Sequence, residues 1–267
     1  MPTKDLSGVQ FHYTEQAHAA AGKVPLVLLH GFPLDSSMWQ AQLTALSPER
    51  RVVAPDLRGF GRTRSDAPFT IASLADDIHA LLGAVGALPC ILTSLSMGGY
   101  VALAYAKKYP ADLRGLILID TKAEADTPEG KEGRGKMIEL ARKEGAKAVA
   151  DQMMPKMLAK DAADQRPQTA ATLRKIMEAC PQKTIEHALA AMRDRPDRSG
   201  ELGAIKVPTL VIVGESDAIT PPAVAQSMAQ KIPGAELVTV RGAGHMSPME
   251  QPEQVNRAMK AFLGRLN

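Results

Sequence analysis

The sequence predicts an open, doubly wound α/β sheet interrupted by one block of helices, and three observations carry that expectation. Short apolar runs rich in Val, Ile and Leu recur at 24–29, 51–54, 90–93, 113–119, 207–213 and 236–240. Near-continuous apolar runs of this length suit parallel strands covered on both faces. Helical patterns fall between them, at 36–46, 71–85, 99–109, 221–232 and 250–266, and strand–helix alternation marks this class. Residues 122–200 break the alternation: they hold no convincing strand and repeat Met, Leu and Ala at helical spacing.

Taken in chain order, residues 8–15 read as an early antiparallel edge strand. The run 24–29 ends in Leu28-Leu29-His30-Gly31-Phe32-Pro33, a strand entering a loop, where the backbone N–H of Phe32 is placed to point at an acyl oxygen. His30 in that loop reads as a brace rather than a base. The run 90–93 leads into Thr93-Ser94-Leu95-Ser96-Met97-Gly98-Gly99-Tyr100. Here a strand stops at Ser96, small residues stand two positions to either side, and a helical pattern starts at once. This is the layout of a nucleophile elbow, which holds a serine exposed on a strained strand-to-helix turn. An ordinary helix N-cap serine is the competing reading. The helix N-terminus adds unpaired N–H groups and a positive dipole end, so the N–H of Met97 is the second expected oxyanion donor. Ser94 stands where the pattern has glycine and adds some crowding.

The block 122–200 follows the strand ending before Asp120. Ligands of such sheets bind at the carboxyl ends of the strands, so these helices are expected to lie over that edge as a cap on a core of residues 1–121 and 201–267. The run 207–213 leads into Gly214-Glu215-Ser216-Asp217-Ala218-Ile219-Thr220-Pro221-Pro222, with Thr220 expected to cap a helix that Pro221 starts. Asp217 then lies in a loop on the same sheet rim as Ser96. The last strand feeds Arg241-Gly242-Ala243-Gly244-His245, a mobile-looking glycine loop that carries a histidine. A serine nucleophile needs a base and a carboxylate that orients it, and His245 and Asp217 supply both. His12, His18, His79 and His187 read as surface or helix residues. No pair of histidines has metal-ligand spacing, so no metal site is expected.

Composition excludes other classes. A net charge of +3 over 267 residues, with no block of like charge, argues against a nucleic-acid partner. No stretch reaches the roughly 18 apolar residues of a membrane helix, and the start shows no basic-then-apolar leader, so a cytoplasmic location with no membrane association is expected. Cys90 and Cys180 are read as reduced, buried thiols. Between residues 110 and 260 there is no Phe, Tyr or Trp, so the helical block cannot build an aromatic cage. Its methionines read first as helix–helix core and second as an adaptable apolar lining.

The segments HGFPLDSSMW, PDLRGFGRT, SLSMGGY, VGESDAITPP and GAGH together resemble the α/β-hydrolase superfamily over nearly the whole chain. The resemblance implies the α/β-hydrolase fold: a mostly parallel eight-stranded sheet flanked by helices, with a helical cap after the sixth strand and no cofactor. The order Ser96, Asp217, His245 is that of the superfamily. Asp56, Arg58, Gly59 and Gly61 match a structural loop of the family. Asp120 occupies the alternative acid position of some branches and is expected here to anchor the first turn of the cap. The HGFP and SMGGY segments look like the branch of carboxylesterases, 3-oxoadipate enol-lactonases and cofactor-free perhydrolases. Related dehalogenases and epoxide hydrolases need a carboxylate where this chain has Ser96.

The expected activity is hydrolysis of small to medium, mainly apolar carboxylic esters through an acyl-enzyme, with a lactone as the second substrate class. An acyltransferase or a perhydrolase would share the intermediate. A non-enzymatic receptor fits an intact Ser, Asp and His set poorly. Met38 and Met246 are expected to line the pocket, beside Phe32 and Met97. Lys122, Lys131, Arg134, Lys136 and Arg142 are available to a substrate carboxylate or form a solvated helix face. The partner is a small-molecule ester or lactone, and the sequence leaves the oligomeric state unassigned.

Overall fold

Alternation along single strands sorts the apolar side chains to the two faces of one sheet. The computed structural model describes residues 2–16 and 22–266. Its strands are β1 Thr3–Leu6, β2 Val9–Gln16, β3 Leu26–Leu29, β4 Val52–Pro55, β5 Cys90–Leu95, β6 Leu113–Ile119, β7 Thr209–Gly214 and β8 Glu236–Val240, ordered β1-β2-β4-β3-β5-β6-β7-β8. Leu26, Leu28, Ile117, Ile119, Leu210 and Ile212 join one core, while Val27, Leu29, Leu116, Leu118, Val211 and Val213 join the other. Successive strand residues point to opposite faces, so both faces need helices, and both have them. Helices α1 Gln40–Leu46 and α10 Pro252–Leu263 cover the first core. Helices α2 Ile71–Ala84, α3 Met97–Lys108 and α8 Pro222–Lys231 cover the second. The expected eight-stranded, mostly parallel sheet flanked by helices is therefore observed.

The sheet departs from expectation at its start. β2 is antiparallel to β4, as read, but it is not the edge: β1 pairs outside it through a two-residue turn at Ser7 and Gly8, with φ of 50° and 80°. Positive φ at both positions suits the tight hairpin turn whose twist matches that of its strands. The N-cap of α8 is Pro221 rather than Thr220, because the Thr220 hydroxyl is taken up by Asp217.

Between β6 and β7 the chain forms α4 Pro128–Met157, α5 Ala162–Gln165, α6 Pro167–Glu178 and α7 Gln182–Arg193. Thr127 starts α4 by accepting the Gly130 amide, with Pro128 in the first turn. Met157, Met177 and Met192 are buried in the two cores, so helix packing accounts for them. Two contacts from α7 and one from the segment just after it meet the elements around the sheet. The Thr184 hydroxyl donates to Gly59 O at 2.9 Å, Phe69 meets His187 edge-on, and the Arg195 guanidinium lies 4.0 Å over the Tyr100 ring. Cys90 and Cys180 are free and buried, and burial pushes the Cys90 thiol up to about 12. No helix among the described residues is long and apolar enough to cross a membrane.

α4 is broken at Gly145, whose φ of 76° and ψ of −170° are open only to glycine. Nothing lies within 4 Å of a Cβ built there, so a side chain would cost backbone strain alone. Gly145→Ala is expected to destabilise the protein by about 1–3 kcal/mol, read as a fall in Tm of about 2–4 °C per kcal/mol. An unchanged Tm would show that the break is not under conformational constraint.

Candidate active site

β5 ends at Leu95 and α3 begins at Met97, which leaves Ser96 alone at the turn with φ 52° and ψ −115°. The turn is tight because α3 starts against the end of β3. A Cβ at Gly98 would sit 2.6 Å from Leu29 O and 2.7 Å from His30 O, so only glycine fits. Ser94 is accommodated: it is buried in β5 and its hydroxyl donates to Ile117 O at 3.4 Å. The turn brings the first amides of α3 beside the loop after β3. Among the described residues no acceptor is bonded to the N–H of Phe32 or of Met97, and the first amides of a helix have no partner within it.

That loop is braced by the residues expected to brace it. His30 is fully buried, its Nδ1–H donates to Gly31 O at 2.9 Å, and its Nε2 accepts the Leu57 amide at 3.0 Å. Burial holds the imidazole below its ordinary value, and neutral His30 serves both bonds. Asp56 accepts the amides of Ser36 and Arg62, tying this loop to the one after β4. The Phe32–Pro33 peptide is cis.

Ser96, Asp217 and His245 come together. His245 Nε2 lies 2.9 Å from Ser96 Oγ, and its Nδ1 lies 2.9 Å from Asp217 Oδ2. Asp217 also accepts the amides of Ile219 and Thr220 at 2.8 and 2.9 Å and the Thr220 hydroxyl at 2.6 Å. A carboxylate that accepts four hydrogens is held as an anion. Burial pushes Asp217 up, but the bond and charge of His245 and the Thr220 bonds outweigh it and leave the carboxyl below its usual range. Burial likewise pulls His245 down. The Asp217 bond and charge, with Asp120 and Glu250 further off, override burial and raise the imidazole above its ordinary value. With Nδ1–H given to Asp217, Nε2 is free to take the Ser96 proton.

Several expectations do not survive in their original form. Asp120 is neither the partner of the imidazole nor an anchor for the first cap turn. Its Oδ1 accepts the Gly214 amide at 2.8 Å, and its Oδ2 takes the Ser247 hydroxyl at 2.6 Å and the Ser247 amide at 3.2 Å. It thus joins the end of β7 to the residue two beyond His245. Met38 and Met246 are 3% and 0% exposed and belong to the core that α1 and α10 cover; burial alone does not separate a pocket wall from core, since Phe32 and Met97 are as buried. Lys122 and Arg134 lie on Asp126, Lys136 on Glu132, and Arg142 on Glu139 and Glu186. His79 stacks on Tyr109 and bonds Asp112 at a distant cluster, His12 sits in β2, and His18 lies outside the described residues. Glu250, a buried carboxylate near His245, escaped sequence reading. Its partner Ala159 lies across the chain, so no local pattern marks it.

Burial and the Asp217 charge push the Asp120 carboxyl up to about 8, against His245 and the bonds from Ser247 and Gly214. A carboxyl whose folded value lies above its unfolded value of about 4 favours the folded state most at low pH. That contribution is lost as pH rises from about 4 to 8. Denaturant titrations of wild type are therefore expected to show stability declining over this window. In Asp120→Asn the decline becomes shallower, and an unchanged slope would contradict this assignment.

Comparison with known proteins bears on the family and the fold. Residues 26–258 match the profile of the alpha/beta hydrolase family. The AB hydrolase superfamily protein YisY of Bacillus subtilis is 34% identical over 251 residues, covering 89% of this chain and 91% of its own. A thermophilic esterase from Thermogutta terrifontis superposes with a TM-score of 0.92 at 39% identity, over 99% of this chain and 97% of that one. The enol-lactonase from Burkholderia xenovorans LB400 does so with a TM-score of 0.91 at 29% identity, over 98% and 100%.

Proposed function

The chain belongs to the alpha/beta hydrolase family, and we propose that it is a carboxylesterase acting on small to medium, mainly apolar acyl esters through an acyl-enzyme on Ser96. One observation carries the reading: His245 Nε2 stands 2.9 Å from the Ser96 hydroxyl while Nδ1 is committed to Asp217. This is hydrogen-bond reach for proton transfer. The similarity to the Thermogutta terrifontis esterase supports ester cleavage.

In this scheme His245 takes the Ser96 proton as Oγ bonds the ester carbonyl carbon. The negative charge moves to the carbonyl oxygen, which the amides of Phe32 and Met97 receive. One such donor contributes about 3 kcal/mol to the barrier reduction. Collapse breaks the bond to the alkoxide, which leaves with the proton from His245. Water then gives a proton to His245, attacks the acyl carbon and releases the acid, returning the proton to Ser96. Asp217 stays ionised and stabilises the imidazolium. The helices of residues 122–200 act as the cap over this rim. With no Phe, Tyr or Trp among them, they favour aliphatic over aryl substrates. A lactone is the weaker reading. The enol-lactonase is similar in fold, but of the five cations expected to be available to an acidic substrate, Lys122, Arg134, Lys136 and Arg142 are each engaged by a carboxylate of the chain, which leaves Lys131 alone for that role.

Ser96→Ala is expected to lower the kcat of p-nitrophenyl butyrate hydrolysis by about 10³-fold or more, and to abolish labelling by a fluorophosphonate. Residual turnover near wild type would sink the proposal. The base must be neutral to accept a proton, and His245 is raised. The acid limb of kcat/KM is therefore expected above about pH 6.5, read from a pH–rate profile; a limb below that value would contradict the environment assigned to His245.

A further inference from the structure

Glu250 closes the short helix α9 Ser247–Glu250, five residues past His245, and its side chain is fully buried. A buried carboxylate is costly unless donors surround it, and the donors here come from two directions. Oε1 accepts the amide of Gly244, the residue before His245, at 2.8 Å. Oε2 accepts the amide of Ala159, just past the end of α4, at 2.8 Å, with Arg166 Nη1 at 3.9 Å. One carboxylate therefore spans the gap between the histidine loop and the helices inserted after β6.

A second contact joins the same two segments. A Cβ at Gly244 would stand 2.6 Å from the carbonyl carbon of Leu158, so the histidine loop and the Leu158–Ala159 corner touch backbone to backbone. Glycine at 244 permits this approach and Glu250 ties it. On the other side of His245, Asp120 holds Ser247, so the loop is gripped both before and after the imidazole.

Resting on the esterase reading above, we infer that Glu250 is a positioning residue for His245: it fastens Gly244 to Ala159, so that the cap sets the place of the general base. Glu250 touches neither the ring nor Ser96. It acts by fixing the backbone that aims the imidazole, and a displacement of about 1 Å at such a site costs about 10²-fold in rate. The cap then contributes to the chemical step as well as to substrate binding. Burial raises the Glu250 carboxyl, while the amide bonds and Arg166 oppose that rise, in keeping with a group that needs its donors in place.

The test uses two variants of the full chain. Glu250→Gln presents an amide nitrogen to one of the two N–H groups and so breaks one tie. Ala159→Pro removes the cap-side donor and puts a ring carbon where that N–H met Glu250 Oε2, so it breaks the cap tie outright; Leu158 already has the extended conformation, φ −114° and ψ 158°, that a following proline requires. Each variant is expected to lower kcat for p-nitrophenyl butyrate by about 10- to 100-fold, with KM within about twofold of wild type. The downfield proton resonance of His245 Nδ1–H is expected to shift or broaden in both. A purely structural tie would lower Tm and leave that resonance and kcat of the folded protein unchanged, and this result overturns the inference. The resonance does not depend on turnover. If no ester is hydrolysed even by wild type while the resonance still moves in both variants, the esterase reading fails and the positioning role stands.

Discussion

The backbone of Ser96 is the constraint on which the rest depends. A residue with a side chain at φ 52° and ψ −115° costs on the order of 1–3 kcal/mol. Three bonds hold it there: its N–H donates to Ile119 O at 3.0 Å, its carbonyl accepts the Gly99 amide at 2.8 Å, and the same carbonyl accepts the Thr121 hydroxyl at 2.7 Å. At about 1 kcal/mol each they match the strain. Two of the three come from β6 and the residue just past Asp120, so the neighbouring strand holds the serine above the rim. The missing side chain at Gly98 lets α3 start close against the end of β3 and the loop that follows it.

Charge is balanced around a single imidazole. Asp217, Asp120 and Glu250 are all buried near His245, and only Asp217 touches the ring. Asp217 is surrounded by donors and stays ionised, whereas Asp120, beside that anion, is driven toward its neutral form. Two neighbouring carboxyls pushed in opposite directions by their surroundings let one carry charge to the histidine while the other holds backbone.

Much of this was legible in the sequence. The parallel strands announced themselves as Val-, Ile- and Leu-rich runs because burial on both faces leaves no polar alternation. Ser96, Asp217 and His245 stood out because each follows a strand, and strand ends in a parallel sheet meet on one rim. What escaped depended on contacts between distant segments. β1 is short and exposed, and its only signal was the Ser7–Gly8 pair. Asp120 bonds Ser247 across 127 residues, and Glu250 bonds Ala159 across 91, so no local pattern marks either. Thr220 looked like a helix cap, and Asp217 claimed its hydroxyl.

The central claim is that Ser96 carries the acyl group between two half-reactions. Rapid acid quench of the protein during turnover of a p-nitrophenyl ester, followed by mass spectrometry of its peptides, tests this most directly. The account predicts an added acyl mass on the peptide containing Ser96 that rises and then decays as substrate is consumed. Turnover with no acylated Ser96 peptide at any quench time would contradict it.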